Sequence, residues 1–442
     1  MQKIISLLKR RGFIWQSSEI YGGAAASYDY GPLGALVKNN LKNFWLKSMI
    51  KSEESVVPLD SAIFMHPKVW EASGHTENFI DPMVECKKCH RRYKQSEAEE
   101  KCPECGSELS SPRQFNLMFE THLGPVKESA NIVYLRPETA QGIYVDYQLV
   151  QQAMRLKIPF GIAQVGKAFR NEITPSNFTY RTVEFEQMEM QFFVKPDEAA
   201  KWFKTWRDKR LKWYTEKLGL KKENLRLRPH KKEELAHYAK EAVDVEYKFP
   251  FSAGGGSASG GGWNEIEGVH NRGDWDLSRH QEFSGKDLTY FDEEKDEKFL
   301  PHIIETSGGV DRVLLAMLID AYYTEEIKGE ERVVLKLHPW FSPYRVAVFP
   351  LVRTDENLVE AAKKIYSALK PHFSVDYDET GTIGKRYRRH DEVGTPWCVT
   401  IDGQTLEDGT VTIRDRDTLE QERVHKNEIK EWIDERLNAL SR

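Results

Sequence analysis

The sequence lacks any apolar run approaching the roughly 20 residues that a membrane-spanning helix needs, so no span is expected. Its basic start, Met1 to Arg11, lacks the long apolar core and small-residue cleavage site of a secretory signal and reads as a first helix. Cysteine is scarce: five in 442 residues, four of them in two C-x-x-C pairs and the fifth, Cys398, in the apolar run Pro396-Trp397-Cys398-Val399. An odd count without a secretory signal fits a reducing compartment, and a cytoplasmic location is expected. Excess basic charge is also missing. With 64 Lys and Arg against 69 Asp and Glu the net charge is −5, so any nucleic-acid contact must come from local patches.

What is present is globular: 40% hydrophobic and 30% charged residues, with a mean hydropathy of −0.61. A chain of 442 residues is too long for one ordinary core, so a large domain and a smaller one are expected. Aromatic-rich strands and turns such as Tyr28-Asp29-Tyr30-Gly31-Pro32 precede a helical pattern from Leu33 to about Met49. Runs at Phe160 to Glu172 and Thr182 to Phe193 flank the polar loop Thr174-Pro-Ser-Asn-Phe and read as an antiparallel pair. The Lys-, Arg- and Trp-rich stretch Asp197 to Leu218 reads as a helix with a solvated face. Residues 252–262, all Gly, Ser or Ala, have little to pack and read as a flexible spacer between two ordered strands. Trp263-Asn264-Glu265 after it supplies neither the helix start nor the Lys or Ser/Thr of a phosphate loop.

After Leu337-His-Pro-Trp-Phe-Ser-Pro, a natural boundary, the pattern changes. A strand (Arg345 to Val352), a helix (Glu356 to Leu369), a short strand (Ser374 to Asp378) and a helix from near Ile383 lead to strands Trp397 to Asp402 and Thr410 to Arg416. A terminal helix starts at Lys426. This alternation predicts an open, mostly parallel sheet covered by helices.

Three segments carry chemistry. Cys86-x-x-Cys89 and Cys102-x-x-Cys105 have the spacing at which paired thiolates share a tetrahedral zinc, whereas four unrelated thiols or a redox pair would need that spacing to repeat by chance. Four protein thiolates leave no open position, so the role is structural. In Phe169-Arg170-Asn171-Glu172 and Tyr180-Arg181-Thr182-Val183-Glu184-Phe185-Glu186-Gln187-Met188-Glu189, strand alternation puts Phe185, Gln187 and Glu189 on one face and Glu184, Glu186 and Met188 on the other. An aromatic and a carboxylate sharing a face near two arginines suggest a polar pocket. Glu305-Thr-Ser307-Gly-Gly-Val-Asp311-Arg312 runs into an apolar helix, where Arg312 could meet a phosphate or simply follow a glycine turn on the surface.

Together these segments resemble the second and third signature motifs of class II aminoacyl-tRNA synthetases. Arg11-Gly-Phe-Ile-Trp, Ile20-Tyr-Gly-Gly, Tyr28-Asp-Tyr-Gly-Pro-Leu-Gly, Trp70-Glu-Ala-Ser-Gly-His and Arg136-Pro-Glu-Thr-Ala-Gln-Gly narrow the resemblance to the dimeric glycyl family. Trp275-Asp-Leu, Ile383-Gly-Lys-Arg-Tyr-Arg-Arg and Asp391-Glu-x-Gly-Thr-Pro continue it over nearly the whole chain. The chain departs from the pattern at the glycine-serine stretch and at Lys94, where an arginine is expected in bacterial relatives. A serine, threonine or proline enzyme is the alternative of the same class, and the Arg136 segment with the pocket acids speaks against it. A non-catalytic RNA-binding relative would be expected to have lost Arg170, Arg181 and Arg312.

The resemblance implies an α+β fold: an antiparallel-sheet catalytic domain over 1–336 with a zinc-binding insertion at 84–110, then an α/β anticodon-binding domain over 344–442. It implies that Arg170, Arg312 and Glu305 act in catalysis, with Arg170 on the α-phosphate of ATP and Arg181 and Arg312 on the outer phosphates. Phe185 would stack on adenine and Glu172 meet its amino group, with Asn171, Glu265 and Ile266 also at the nucleotide. Glu305, with Glu265 nearby, would bind magnesium. Glu138 and Glu189 would receive the glycine ammonium, with Glu186, Gln187, Arg272, Glu305 and Ser307 around it. Lys385, Arg386, Arg388 and Arg389, interleaved with Tyr387, would contact tRNA(Gly). Zinc and magnesium are the implied ions, ATP, glycine and tRNA the partners, and a homodimer formed around Tyr28 to Leu41 the assembly.

Overall fold

The computed structural model describes residues 1–442 except 53, 96–97, 99, 126–130, 174–176, 237–238, 252–261, 328 and 441–442. Helix α1 (Gln2–Arg10) buries Ile4, Leu7 and Leu8 at the spacing of one helical face. Helix α2 (Pro32–Ile50) opens with proline, tolerated there because the first turn's N–H groups have no intrahelical partner. Leu33, Val37, Leu41, Trp45 and Met49 form its buried ridge. The helix approaches Phe13 so closely that a Cβ at Gly34 would lie 1.9 Å from the Phe13 carbonyl oxygen.

The frame of the larger, N-terminal region is β1 (Ser55–Pro58), α3 (Ala140–Met154), β2 (Phe160–Phe169), β3 (Glu184–Val194), α4 (Ala199–Lys212), β4 (Leu225–Pro229), β5 (Glu241–Phe249), β6 (Gly262–Gly273), β7 (His302–Gly309) and α5 (Val310–Ala321). Among the described residues its strands form a seven-stranded sheet in the order β4-β5-β6-β7-β3-β2-β1. Every pairing is antiparallel except β1 with β2. The expected β2–β3 pair is present, with Glu184 opposite Phe169.

Strand alternation divides the core into two. Met188, Met190 and Phe192 of β3 face α2, α4 and α5, whereas Phe193 packs with Ile143, Tyr144 and Tyr147 of α3. On that second face, Phe185, Gln187, Glu189, Gln191 and Phe193 pass from polar to apolar along one strand. The polar end becomes a cleft. Helix α4 has the expected solvated face, with Lys201, Lys204, Asp208 and Lys212 exposed, while Phe203, Trp206 and Arg210 are buried on its inner side. Residues 252–261 of the proposed spacer lie outside the described residues; Gly262 already belongs to β6, opposite Phe249 of β5.

A small three-stranded sheet, Ile80–Glu85, Arg92–Lys94 and Arg113–Asn116, carries the cysteine pairs. Beside it, Lys94 pairs with Asp81 at 2.5 Å.

The C-terminal region contains β8 (Val346–Pro350), α6 (Glu356–Leu369), β9 (Val375–Tyr377), α7 (Ile383–Val393), β10 (Trp397–Ile401), β11 (Thr410–Asp415), β12 (Gln421–His425) and α8 (Ile429–Ala439). The sheet order is β9-β8-β10-β11-β12. β8 runs parallel to β9 and β10, but β10–β11 and β11–β12 are antiparallel. The sheet is therefore mixed rather than mostly parallel, because β11 and β12 form a hairpin whose second strand, Gln421–His425, is polar and escaped the sequence reading. The boundary segment is no loose linker: Leu337 and Phe341 join the larger core, and Ser342 donates to Gly394 O at 2.7 Å. No helix among the described residues is long and apolar enough to cross a membrane.

Candidate active site

The cleft at the polar end of β2, β3, β6 and β7 encloses about 280 Å³. One end is cationic. Arg170, just beyond β2, donates from Nε to Pro137 O at 3.1 Å, with its guanidinium 5.3 Å from the Phe79 ring and 5.5 Å from Phe185. Arg312 leans over Tyr180 at 4.5 Å and pairs with Glu265 at 3.2 Å. Arg181, Glu172 and Phe185 line the same cleft.

A bulge in β6 explains how Glu265 arrives there. Register with β5 slips between Val245 and Glu246, so Glu267 pairs with Val245 while Glu265 pairs with Glu246, leaving Ile266 as the extra residue. Glu265 consequently faces the cleft. Glu267 points to the opposite side, where buried Arg210 holds it at 2.6 and 3.0 Å and the Tyr214 hydroxyl donates at 2.5 Å. Ile266 itself is fully buried in the core, so its side chain does not serve the cleft as expected.

The other end is anionic. Glu138 accepts from Gln141 at 2.9 Å and lies 3.5 Å from His75 Nε2. Glu189 accepts from the Thr139 hydroxyl and from Gln191 Nε2, the latter at 3.1 Å. Glu305 receives His270 at 2.8 Å on Oε1, and Arg272 and Gln191, both at 2.9 Å, on Oε2. Gln187 donates to Ser307 Oγ at 3.3 Å and closes the floor.

The electrostatics separate the three acids. Burial raises all of them, but Arg272 and His270 bring Glu305 down to about 2. His75 likewise holds Glu138 well below the usual carboxylate range against its burial. Glu189 goes the other way: burial, then the charges of Glu305 and Glu138, push it well above that range. Of the three, Glu189 is therefore the acid that gives up its proton least readily.

In the insertion, the four cysteine Sγ atoms lie within 4.8 Å of one another. Cys86–Cys105 and Cys89–Cys102 are separated by 3.5 and 3.6 Å, close to the edge of about 3.8 Å implied by a tetrahedron with Zn–S near 2.3 Å. The donor set fits zinc. It is the one such cluster found among the described residues.

Comparison with known proteins decides the family. The glycine–tRNA ligase of Treponema denticola is 53% identical over 441 residues, covering 97% of this chain and 95% of that protein. Those of Borreliella burgdorferi (51%, 98% and 96%) and Geobacillus kaustophilus (49%, 99% and 99%) align equally fully. The chain belongs to the glycine–tRNA ligase family. Residues 345–436 also match the anticodon binding domain model, so this mixed α/β region is an anticodon-binding domain.

Against this family membership, four expectations about individual side chains need correction. Glu186 does not join the pocket: strand alternation sends it to the other face of β3, where Lys38 and Lys42 hold it at 2.8 and 2.9 Å. Glu305 is poorly suited to magnesium, because both its oxygens are already occupied by donors. Arg272 stands behind the cleft rather than in it, clamped by Asp276 at 2.7 and 2.8 Å. Asn171 is not a cleft-lining residue either; its backbone N–H donates to Leu117 O at 2.7 Å.

The basic run of α7 is also divided. Arg386 is buried and donates to the carbonyls of Pro350, Glu379 and Gly381, so it holds the fold and has no free face for RNA. Tyr387 is half-buried, its hydroxyl 2.6 Å from Thr400 Oγ1. Arg389 pairs with Asp378, and Arg388 reaches toward Glu330 at 3.7 Å. Lys385 is exposed. The sequence reading gave no role to His75 or Thr139, although both lie in the quoted segments Trp70-Glu-Ala-Ser-Gly-His and Arg136-Pro-Glu-Thr-Ala-Gln-Gly, nor to His230, Asp244 and His270, which enter or brace the cleft through long-range pairing.

Proposed function

We propose that this chain activates glycine with ATP, forming glycyl-adenylate and pyrophosphate, and then transfers glycine to the 3′ end of tRNA(Gly). The observation that carries the reading is a single cleft with arginines at one end and three braced carboxylates at the other. Such a cleft matches a substrate pair of one polyphosphate and one ammonium. Arg170 holds the α-phosphate while Arg181 and Arg312 take the outer phosphates, and the adenine stacks on Phe185 with its amino group toward Glu172. The glycine carboxylate attacks the α-phosphorus and the bond to pyrophosphate breaks, the arginines stabilising the charge that develops. In the second step the terminal ribose oxygen attacks the glycyl carbonyl and AMP leaves.

Glu138 and Glu189 take the ammonium, and the walls formed by Gln187 and Ser307 crowd the space that a side chain would need. A pocket that merely lacks room discriminates one methylene by only about 1–3 kcal/mol. Charge matching at a rigid floor adds to that. Magnesium supplies charge neutralisation on the phosphates, and the half-exposed Glu265 carboxylate is the residue that would reach it. Cys86, Cys89, Cys102 and Cys105 would hold zinc, which ties the 84–110 insertion together.

The catalytic domain spans 1–336 and the anticodon-binding domain 344–442, with exposed Lys385 offered to the tRNA backbone. The protein works as a homodimer in the cytoplasm. Pyrophosphate exchange measured across amino acids tests the central claim: exchange should depend on glycine, and equal or greater dependence on alanine, serine, threonine or proline would overturn it. A monomeric mass by light scattering at micromolar concentration would overturn the dimer.

A further inference from the structure

His270 has no part in the reactions just described, yet it is built into the cleft with care. In the β6–β7 register it stands directly opposite Glu305. Its Nδ1 lies 2.8 Å from Glu305 Oε1. The other cation on that carboxylate, Arg272, is shared with Asp276, which engages it through two hydrogen bonds of 2.7 and 2.8 Å. Arg272 and Asp276 largely satisfy each other, whereas His270, also in the field of Glu265 and Asp244, directs its ring nitrogen at Glu305.

The ring is seated by an omission. Gly268 lies two residues earlier on the same face of β6, and a Cβ there would fall 2.5 Å from the His270 ring carbon Cε1 and 3.1 Å from Nε2. The glycine is needed for space, since its backbone is not in the left-handed region. Any larger residue would push the imidazole away from Glu305. Gly268 and His270 thus form one device on one strand, aimed at a carboxylate on the next.

We propose that His270 is a positioning residue for the amino acid: seated on Gly268, it fixes Glu305 Oε1 and balances its charge, so that the substrate ammonium is left to Glu138 and Glu189. The inference rests on the assignment of the anionic end to glycine. It makes the pocket's selectivity depend on a histidine that contacts a carboxylate rather than the substrate.

The test is pyrophosphate exchange by the full-length protein, with glycine and ATP varied separately. His270→Ala should raise the glycine KM about ten- to hundredfold, the scale of one charge-assisted hydrogen bond, and leave the ATP KM within about twofold. His270→Asn, whose amide nitrogen can stand near the position of Nδ1, should recover part of the loss. Gly268→Ala should reproduce the defect with His270 still present, and the double variant should be no worse than the worse single one. An unchanged glycine KM in both His270→Ala and Gly268→Ala, or an equal rise in both KM values, overturns the proposal. Should His270→Ala fail to fold, Gly268→Ala and His270→Asn decide on the same criteria. Wild-type protein showing no glycine-dependent exchange would instead defeat the function from which the inference starts.

Discussion

Two clusters of like chemistry sit in this molecule and are built on opposite plans. The four thiols of the insertion turn inward and close on one another at 3.5 and 3.6 Å, with knuckle N–H groups and the Tyr93 hydroxyl directed at sulfur. The carboxylates of the cleft are each braced from outside: Glu138 by His75 and Gln141, Glu189 by Thr139 and Gln191, Glu305 by His270 and Arg272. A set whose four ligand atoms converge on one point brings like charges together once the thiols ionise, and needs a cation at that point in order to hold its shape. A set that is supported from outside keeps its shape without a ligand and leaves its inner face for something that comes and goes.

The largest effect should follow from breaking the first plan. One zinc per chain is expected by metal analysis, and Cys102→Ser or strong chelation should unfold the 84–110 insertion, because binding energy in a closed thiolate site is folding energy. Protease susceptibility confined to that segment reports it. A metal-free protein with all four thiols freely titratable and the insertion intact would erase the contrast.

The second plan predicts a smaller and different loss. Glu138→Gln or Glu189→Gln should keep the fold, since the bracing groups remain. The glycine KM should rise about ten- to hundredfold, as expected for a lost charge-assisted hydrogen bond, with little change in the ATP KM. Exchange kinetics with each substrate varied in turn separate that outcome from a general loss of stability.

How much of this could be read in advance depended on how local the pattern was. Alternation along one strand was enough to place Phe185, Gln187 and Glu189 together, and repeated C-x-x-C spacing was enough to bring four thiols to one point. The burial of Arg386 could not be read, because it depends on α7 docking against the end of β8, where the Pro350 carbonyl joins those of nearby Glu379 and Gly381 in holding the guanidinium. Glu265 and Glu267, two apart in a strand, should share a face, and only the bulge at Ile266 separates them. The pairing of His270 with Glu305 depends on β6–β7 register across 35 residues. Registers and bulges are set by packing of whole sheets, so the braces stay hidden even where the braced residues are plain.

Proton linkage sharpens the comparison further. Glu189 lies well above the ordinary carboxylate range through burial and the charges of Glu305 and Glu138, so it gives up its proton at a higher pH than a free glutamate does. An ammonium arriving there supplies the missing positive charge, lowers the pKa and expels the proton. Glycine affinity should therefore rise with pH and level off once the empty pocket has lost its proton, as long as the glycine amine stays charged. Calorimetry in buffers of different ionisation enthalpy should register proton release on glycine binding. Glu189→Gln should abolish it, and proton uptake would reverse the assignment.

The smallest effect expected extends the same distinction, between groups that hold the fold and groups left open, to the basic run of α7. Arg386 is buried and spends its donors on three carbonyls, so Arg386→Ala should lower the melting temperature by removing hydrogen bonds from groups that then stay buried without partners. Lys385, one residue earlier, is exposed on the same helix and can only act on what approaches from solvent. Lys385→Ala should leave the melting temperature unchanged and weaken tRNA binding a few-fold at low salt, with the slope of log affinity against log salt falling by about one phosphate contact. Titration of tRNA at several salt concentrations measures both quantities. If Arg386→Ala changed the salt slope while Lys385→Ala did not, burial would be the wrong guide to which cations of this helix meet RNA.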